Sequence, residues 1–244
     1  PTTKKIISRF TKLFPNIRHV VHDTISSDSA LNAFETFYGQ RALADYDFSK
    51  SKIVVSIGAN FLEDWQGGGY ESGYAKSRIP IKKNKKASMS KHFQFESNMS
   101  LTGSNADYRL PCTPSDQKNI LAYIYDNLIL GSPGQLSEKL KPLADKALDE
   151  LKNFGSDGVI VTGIEDEDAQ AAVFAINTFL NSKSFDPQSP KLIREGNTEE
   201  VLDLFREIEE GNLDGLITVE VNPVFTYPNG ELLSEAIKNL EFSL

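Results

Sequence analysis

The stretch Lys52-Ile-Val-Val-Ser-Ile-Gly-Ala-Asn60 decides the fold that this sequence predicts. Its first half is a run of β-branched apolar residues, interrupted only by Ser56. A run of this kind is buried on both faces, as the central strands of a parallel sheet are. It ends at Gly58, and Ala and Asn follow. The turn 58–60 therefore lies at the carboxyl end of a strand, where open α/β sheets bind their ligands.

Strands and helices alternate along the rest of the chain, which predicts an α/β fold with mostly parallel sheets covered by helices. The further predicted strands are residues 18–22, 92–96, 108–111, 158–162 and 216–221. The predicted helices pass through Leu31 to Gly39 and cover residues 115–128, 143–153, 166–180, 198–210 and 232–240.

A break in composition at residues 131–134, Gly-Ser-Pro-Gly, divides this prediction into two Rossmann-like lobes. The first lobe is residues 1–130, and it contains a long loop at 64–91 with one short helix around Tyr74. That loop also carries the basic run 82–86. The second lobe is residues 135–244.

Composition excludes several classes of function. The 244 residues include 26 Lys and Arg against 34 Asp and Glu, a net charge of -8, which argues against nucleic acid or anionic lipid as a partner. No apolar run approaches the ~18 residues of a membrane-spanning helix, so no membrane insertion is predicted. The single cysteine, Cys112, excludes an intrachain disulfide and a site with several thiolates. Because the sequence starts at Pro1 without Met, we expect an excised part of a longer protein.

The residues themselves leave the chemistry open. The turn after Gly58 would let a backbone amide approach a phosphate, but it would equally serve as a tight turn, and it lacks the full Gly-x-Gly-x-x-Gly pattern. His19 and His22 would face opposite sides of a strand, so no metal pair is predicted. The acidic run 165–168 is typical of charge at a helix start. No Gly-x-Ser-x-Gly elbow is present, and no catalytic residue is predicted.

Five motifs follow one another in a recognisable order. The first motif is a stretch with acidic residues and Phe that begins at Asp45, continues into the strand 53–57 and ends in the Gly-x-Asn of residues 58–60. It is followed by the strand 93–97 and by the pair Ala106-Asp107. Residues 110–116 then lead into the next predicted helix. Residues 214–223 add a strand that ends in Asn-Pro. This series resembles the molybdopterin oxidoreductase family. The resemblance implies the fold of the central domains of formate dehydrogenase and DMSO reductase, and it implies five cofactor-binding positions: Gly58, Asn60, Glu96, Asp107 and Asp116.

The segment 89–107, Met-Ser-Lys-His-Phe-Gln-Phe-Glu-Ser-Asn-Met-Ser-Leu-Thr-Gly-Ser-Asn-Ala-Asp, is similar to one subgroup of that family. The subgroup is the iron–sulfur subunit of bacterial alternative complex III, a membrane-bound respiratory assembly that oxidises quinol. The similarity implies a peripheral subunit at the periplasmic face of the inner membrane. Its partners would be the cluster-bearing, ferredoxin-like region of the same chain and the other subunits. Iron–sulfur clusters would lie in that region and not in these residues.

Departures from the family pattern imply a lost cofactor. Residues 96–98, Glu-Ser-Asn, stand where the family has Asp-Pro-Arg, so the arginine that meets cofactor phosphate is missing. Ser115 stands where the family has glycine, and the acid moves to Asp116. Losing a cationic contact in a low-dielectric cleft costs about 2–5 kcal/mol.

We therefore expect a cofactor-free scaffold in which the five positions are a vestige. One alternative is an active enzyme that binds a bis-molybdopterin guanine dinucleotide cofactor through them, with its metal ligand elsewhere. A second alternative is a free-standing nucleotide-binding or sensory α/β domain.

Overall fold

The strand Ile53–Ile57 is buried over its whole length in the computed structural model, which describes residues 2–83 and 86–244. The described helices are α1 (Thr2–Leu13), α2 (Asp28–Tyr38), α3 (Glu71–Ser77), α4 (Leu101–Ser104), α5 (Pro114–Tyr125), α6 (Lys141–Phe154), α7 (Glu167–Phe179), α8 (Thr198–Glu209), α9 (Pro223–Thr226) and α10 (Gly230–Lys238). The described strands are β1 (Leu43–Tyr46), β2 (Ile53–Ile57), β3 (Ile81–Lys83), β4 (Lys86–Ser88), β5 (Lys91–Glu96), β6 (Tyr108–Pro111), β7 (Gly158–Thr162), β8 (Phe185–Lys191), β9 (Gly215–Leu216) and β10 (Phe242–Ser243).

The main sheet has four parallel strands in the order β6-β5-β2-β7. Its central strand is β2, where Ile53 lies opposite Lys91 of β5 and opposite Gly158 of β7. The α/β class with a parallel sheet, predicted from residues 52–60, is therefore confirmed. Shorter antiparallel pairs, β1 with β8 and β3 with β4, accompany this sheet.

The residues of β2 alternate between two buried clusters, one on each face of the sheet. Ile53, Val55 and Ile57 pack with the apolar faces of α5, α6 and α7. Val54 packs on the other face with α2 and with aromatic side chains that include Phe34, Phe48, Phe61 and Phe174. Helices and loops thus cover both faces, which is why the strand carries apolar residues at nearly every position.

The chain divides into two compact units, Ser29–Arg194 and the combination of Pro1–Asp28 with Glu195–Leu244. The predicted boundary at residues 131–134 does not separate them. The reason is that β2 and β7, which the prediction assigned to different lobes, are hydrogen-bonded neighbours in one sheet. The larger unit holds the four-stranded sheet. The smaller unit has its own core of Val201, Phe205, Ile208 and Leu233 from α8 and α10.

Two predicted strands are wrong, and both belong to the smaller unit. Residues 18–22 form no strand, and of residues 216–221 only Leu216 belongs to one, the two-residue β9. β9 pairs with β10 in parallel. The apolar, β-branched pattern is present in both segments, but each lacks the neighbouring strands that would complete its pairing in the described residues.

The region 64–91 contains the predicted short helix, α3, followed by the β3–β4 hairpin, which the sequence did not predict. Asn84 and Lys85 of the basic run lie outside the described residues. Within residues 2–83 and 86–244, no helix combines the length and the apolar character needed to cross a membrane.

Candidate cofactor site at the strand ends

The carboxyl ends of β2, β5 and β7 meet at one edge of the main sheet, together with the N-terminus of α5. A cavity of about 480 Å³ opens there. The residues that decide its chemistry are Gly58, Glu96, Gln117, Lys118, Gly163 and Glu165. This is where the sequence analysis placed the site. Of the five predicted residues, however, only Gly58 and Glu96 line the cavity.

Gly58 adopts a left-handed conformation with φ +73°, and it packs closely against its surroundings. A Cβ atom at this position would lie 2.4 Å from Gln117 Oε1. The Gly58 N–H donates to the Phe95 carbonyl at 2.7 Å, so the amide expected to approach a phosphate already has a partner in the sheet. Gly163, which the sequence analysis did not name as a site residue, abuts it: a Cβ there would lie 2.3 Å from the Gly58 carbonyl oxygen.

Glu96 is 4% exposed, and donors from its own chain surround its carboxylate. Arg109 Nε donates to Oε1, while the Ser100 hydroxyl and the Gln94 amide donate to Oε2 at 2.6 and 3.1 Å. The Ser100 N–H adds a contact to Oε1 at 3.3 Å. These four donors compensate for the desolvation of a buried charge, and they leave little capacity for a ligand.

Asn60 and Asp116 are also occupied by local structure. The Asn60 side-chain oxygen accepts from the N–H and the hydroxyl of Thr102 at 3.2 and 2.9 Å, and its amide donates to Glu63. Asp116 forms a capping box with Thr113 at the start of α5, in which each side chain accepts the backbone N–H of the other. Both residues therefore have a structural explanation that requires no cofactor.

Asp107 lies at the opposite, amino-terminal edge of the sheet. It accepts the His92 N–H at 2.8 Å, at the start of β5, and it pairs with both terminal nitrogens of Arg78 at 2.5 and 2.8 Å. Burial raises the pKa of Asp107, but the bonds from Arg78 and the His92 N–H outweigh it, so the pKa is lowered. Asp107 immediately precedes β6, whereas the other four predicted residues lie at or after the carboxyl ends of strands. It therefore lies at the other edge of the sheet, away from them.

A row of buried polar side chains runs along β5, and the sequence analysis missed it. His92, Gln94 and Glu96 face the same side of the strand, because side chains two residues apart do so. The Gln94 amide nitrogen donates to Glu96, so its oxygen faces His92 Nε2 at 3.1 Å; the Tyr74 hydroxyl lies 3.0 Å from His92 Nδ1. Burial lowers the pKa of His92 to about 4 and raises that of Tyr74 to about 12. His92 is thus neutral near pH 7. The sequence pattern that could have predicted this row is the occurrence of polar residues at every second position of the predicted strand 92–96.

The charges at the cavity fit a polyanionic cofactor poorly. Two carboxylates, Glu96 and Glu165, line it, and Lys118 contributes an amine. The Lys118 amine lies 2.5 Å from Asp166, a carboxylate that also caps the N-terminus of α7 by accepting the Ala169 N–H. Helix N-termini that would otherwise attract phosphate therefore carry carboxylates of this chain. These residues do not fit a pterin with two nucleotide tails.

The described residues contain no group of three or more His, Cys, Asp and Glu side chains that could hold a metal ion. Burial raises the pKa of Cys112, the single cysteine, to about 11, so it is protonated and a poor metal ligand. Neither observation identifies a catalytic group at this edge of the sheet.

Comparison with known proteins adds no assignment. No family model matches the chain, and no curated protein matches it.

Proposed function

We propose that this chain is a cofactor-free α/β domain in a peripheral subunit of a quinol-oxidising bacterial respiratory complex. In this role it packs against the cluster-bearing region of its own subunit and against neighbouring subunits, on the periplasmic face of the membrane. It keeps the electron-carrying groups at short distances and performs no redox chemistry itself. The proposal takes its class of assembly from the motif series at residues 44–130 and from the segment 89–107.

The main support for a domain without a cofactor is the hydrogen bonding of the Glu96 carboxylate. A residue that served a phosphate-rich ligand would present donors to the cavity, whereas Glu96 presents a carboxylate and draws the available donors of Arg109, Ser100 and Gln94 onto itself. An anion brought into this cavity would lose its hydration while the donors of Arg109, Ser100 and Gln94 stay directed at Glu96, so the loss is not compensated.

A scaffold also needs surfaces to pack with, and the larger unit offers one. Beside α3 and α4 lies a groove of about 470 Å³ whose lining includes Leu62, Ala75, Ile79 and Leu101. Ile79 is 63% exposed and Leu101 48% exposed. Exposed apolar side chains grouped in this way are typical of protein–protein contacts.

The test is chemical analysis of the native full-length subunit purified from its membrane. We expect molybdenum and releasable pterin far below one per chain, together with iron and sulfide from the cluster-bearing region. Stoichiometric molybdenum with pterin would establish the alternative, an active enzyme that holds molybdopterin guanine dinucleotide.

A nucleotide titration separates the remaining alternative. A free-standing nucleotide-binding domain would be stabilised by RT ln(1 + [L]/Kd) in the presence of its ligand. We expect the melting temperature of this chain to be unchanged by GDP, GTP or ATP. A concentration-dependent rise with any one of them would contradict the scaffold and favour a nucleotide-binding or sensory domain.

A further inference from the structure

In the smaller unit, the two segments wrongly predicted as strands border the same cavity. Its volume is about 370 Å³, the space of about twelve water molecules at ~30 Å³ each. One wall is residues 16–20, and the opposite wall includes Leu213 and residues 215–217. Leu204 and Glu207 of α8 complete it together with Phe242. Apolar side chains from both segments and from α8 face this cleft, which is partly open to solvent, and the Arg18 guanidinium pairs with Glu207 at its border at 3.0 Å.

Backbone groups along both walls are placed to pair with an inserted strand. On the β10 side, the Leu244 N–H donates to Leu216 at 2.9 Å and the Thr218 N–H donates to Leu244 at 2.7 Å. Peptide groups alternate in direction along a strand, so those of Gly215 and Ile217 point away from β10. Across the cavity, the backbone groups of residues 18–20 form no hydrogen bond within the described part of the chain.

Helix α1 supplies a second, independent observation. It is amphipathic, and none of its residues is buried. Ile6 is 61% exposed, Phe10 40% and Leu13 72%, while Lys and Arg occupy the other face. A helix with such an apolar stripe covers a sheet in a folded domain. Here the sheet that it would cover consists of only the β9–β10 pair and the segment 18–22, in which the Val21 carbonyl accepts the Asn197 N–H at 3.4 Å but no strand lies alongside in the described residues.

We propose that the cavity receives one parallel β-strand of mainly apolar residues, contributed by the stretch of the same polypeptide that leads into α1. The strand, α1 and residues 18–22 then form a β–α–β unit, whose right-handed crossover places its two strands in one parallel sheet with the helix across its face. The strand order becomes 18–22, the inserted strand, β9, β10. The inserted strand extends the β9–β10 sheet and pairs with Gly215 and Ile217.

This proposal rests on the proposed function in one respect: both treat these 244 residues as part of a longer subunit. It does not depend on the cofactor or on the respiratory assembly. The same preparation can therefore be analysed for molybdenum and pterin separately, and either idea can fail while the other holds.

Amide hydrogen exchange, followed by mass spectrometry, tests it on the full-length polypeptide and on residues 1–244 in parallel. Peptides that cover residues 16–22 and 212–219 should exchange about a hundredfold more slowly in the full-length polypeptide, because their amides are then inside a sheet. Equal exchange in both would overturn the proposal. Slow exchange with a strand that a structure of the native subunit traces to another subunit or to a second copy would overturn the assigned source.

A matched pair of variants makes the readout specific. Ile217→Lys places a charge at the cavity wall, and Leu232→Lys places one on α10, where Leu232 is 64% exposed. In the full-length polypeptide, Ile217→Lys should abolish the slow exchange of residues 16–22 and Leu232→Lys should leave it. In residues 1–244 both variants should exchange like the parent. Retained protection in full-length Ile217→Lys would contradict the insertion.

Discussion

At the scale of single residues, Glu96 and Arg109 form an ion pair whose carboxylate side is 5% exposed and whose guanidinium side is 20% exposed. Glu96→Ala removes the carboxylate and leaves Arg109, Ser100 and Gln94 with donors directed at an empty space. Breaking a buried pair from one side costs about 3–5 kcal/mol. We expect urea denaturation to show a loss of that size in the free energy of unfolding, with an unchanged m-value.

Glu165→Ala is the matched control, since Glu165 lines the same cavity but is exposed. An exposed carboxylate contributes at most about 1 kcal/mol. Equal effects of the two substitutions would contradict a structural role for Glu96.

Gly58 and Gly39 share a left-handed conformation, with φ +73° and +74°, but differ in their surroundings. At Gly39 no atom lies within 4 Å of an added Cβ, whereas at Gly58 the Gln117 side chain lies 2.4 Å away. Gly39→Ala should cost about 1–2 kcal/mol from backbone conformation alone. Gly58→Ala should cost about 1 kcal/mol more, because the end of the Gln117 side chain must move away and give up its 2.9 Å hydrogen bond to Ser97. Thermal or urea denaturation gives both values, and similar losses would show that Gly58 is not closely packed.

His92 makes stability depend on pH in a defined window. Its pKa is about 4 in the folded chain, because of burial, against about 6.5 when unfolded. Between these values the unfolded chain binds the extra proton, so stability is full above pH 6.5 and falls as the pH drops toward 4, by up to about 3 kcal/mol. The charged groups that influence it are Arg78, Asp107 and Glu96, and the Tyr74 hydroxyl contacts its ring.

The measurement is urea denaturation from pH 7 to pH 4.5 for the parent and for His92→Gln. The parent should lose stability over this range more steeply than the variant, and the difference isolates His92 from carboxylates that titrate in both. His19→Gln, at an exposed histidine, should behave like the parent. Parallel curves for the parent and His92→Gln would contradict the lowered pKa.

At the scale of secondary-structure elements, the start of α5 depends on one side chain. The Thr113 hydroxyl accepts the Asp116 N–H at 3.2 Å, and Pro114 fills the first helical position. Thr113→Ala should cost about 1 kcal/mol, as loss of an N-cap does. Ser115→Ala, two positions on and exposed, should change stability by less than about 0.5 kcal/mol. Thermal denaturation of the two variants checks this, and an equal response would argue against the cap.

The four strands of the main sheet and the helices α2, α5, α6 and α7 could be predicted from the sequence because each carries a local signal, whereas β1, β3, β4 and β8 were not predicted. β2, β5 and β7 are continuous buried runs, and α5 has its proline and its cap. Residues 18–22 carry a similar signal without forming a strand, since pairing needs a neighbour that local sequence does not contain. The boundary at residues 131–134 failed for a related reason: which strands pair is a long-range property, and β2 reaches across that break to β7.

The position of the candidate site could be predicted from the sequence, but the availability of its side chains for a ligand could not. A glycine turn after a buried strand locates the sheet edge and Gly58, whereas Glu96 was named only through the resemblance to the molybdopterin oxidoreductase family. Whether a side chain is available depends on partners distant in sequence: Asn60 is held by Thr102, and Asp107 is held by Arg78 at the other edge. No pattern in residues 44–116 shows those contacts.

At the scale of the whole molecule, Cys112 provides a direct measure of how often the larger unit opens. It is the single cysteine, 6% exposed, and its pKa is raised to about 11 by burial. Since only the thiolate attacks a disulfide reagent, the folded chain should be nearly inert to DTNB at pH 8, and labelling should proceed through opened molecules. The labelling rate then rises about tenfold for each 1.4 kcal/mol of destabilisation. Glu96→Ala should therefore accelerate labelling by at least a hundredfold or so, whereas Glu165→Ala should accelerate it by less than about fivefold. If both variants label at the parent's rate, opening at Cys112 is local and does not report on the sheet that holds Glu96.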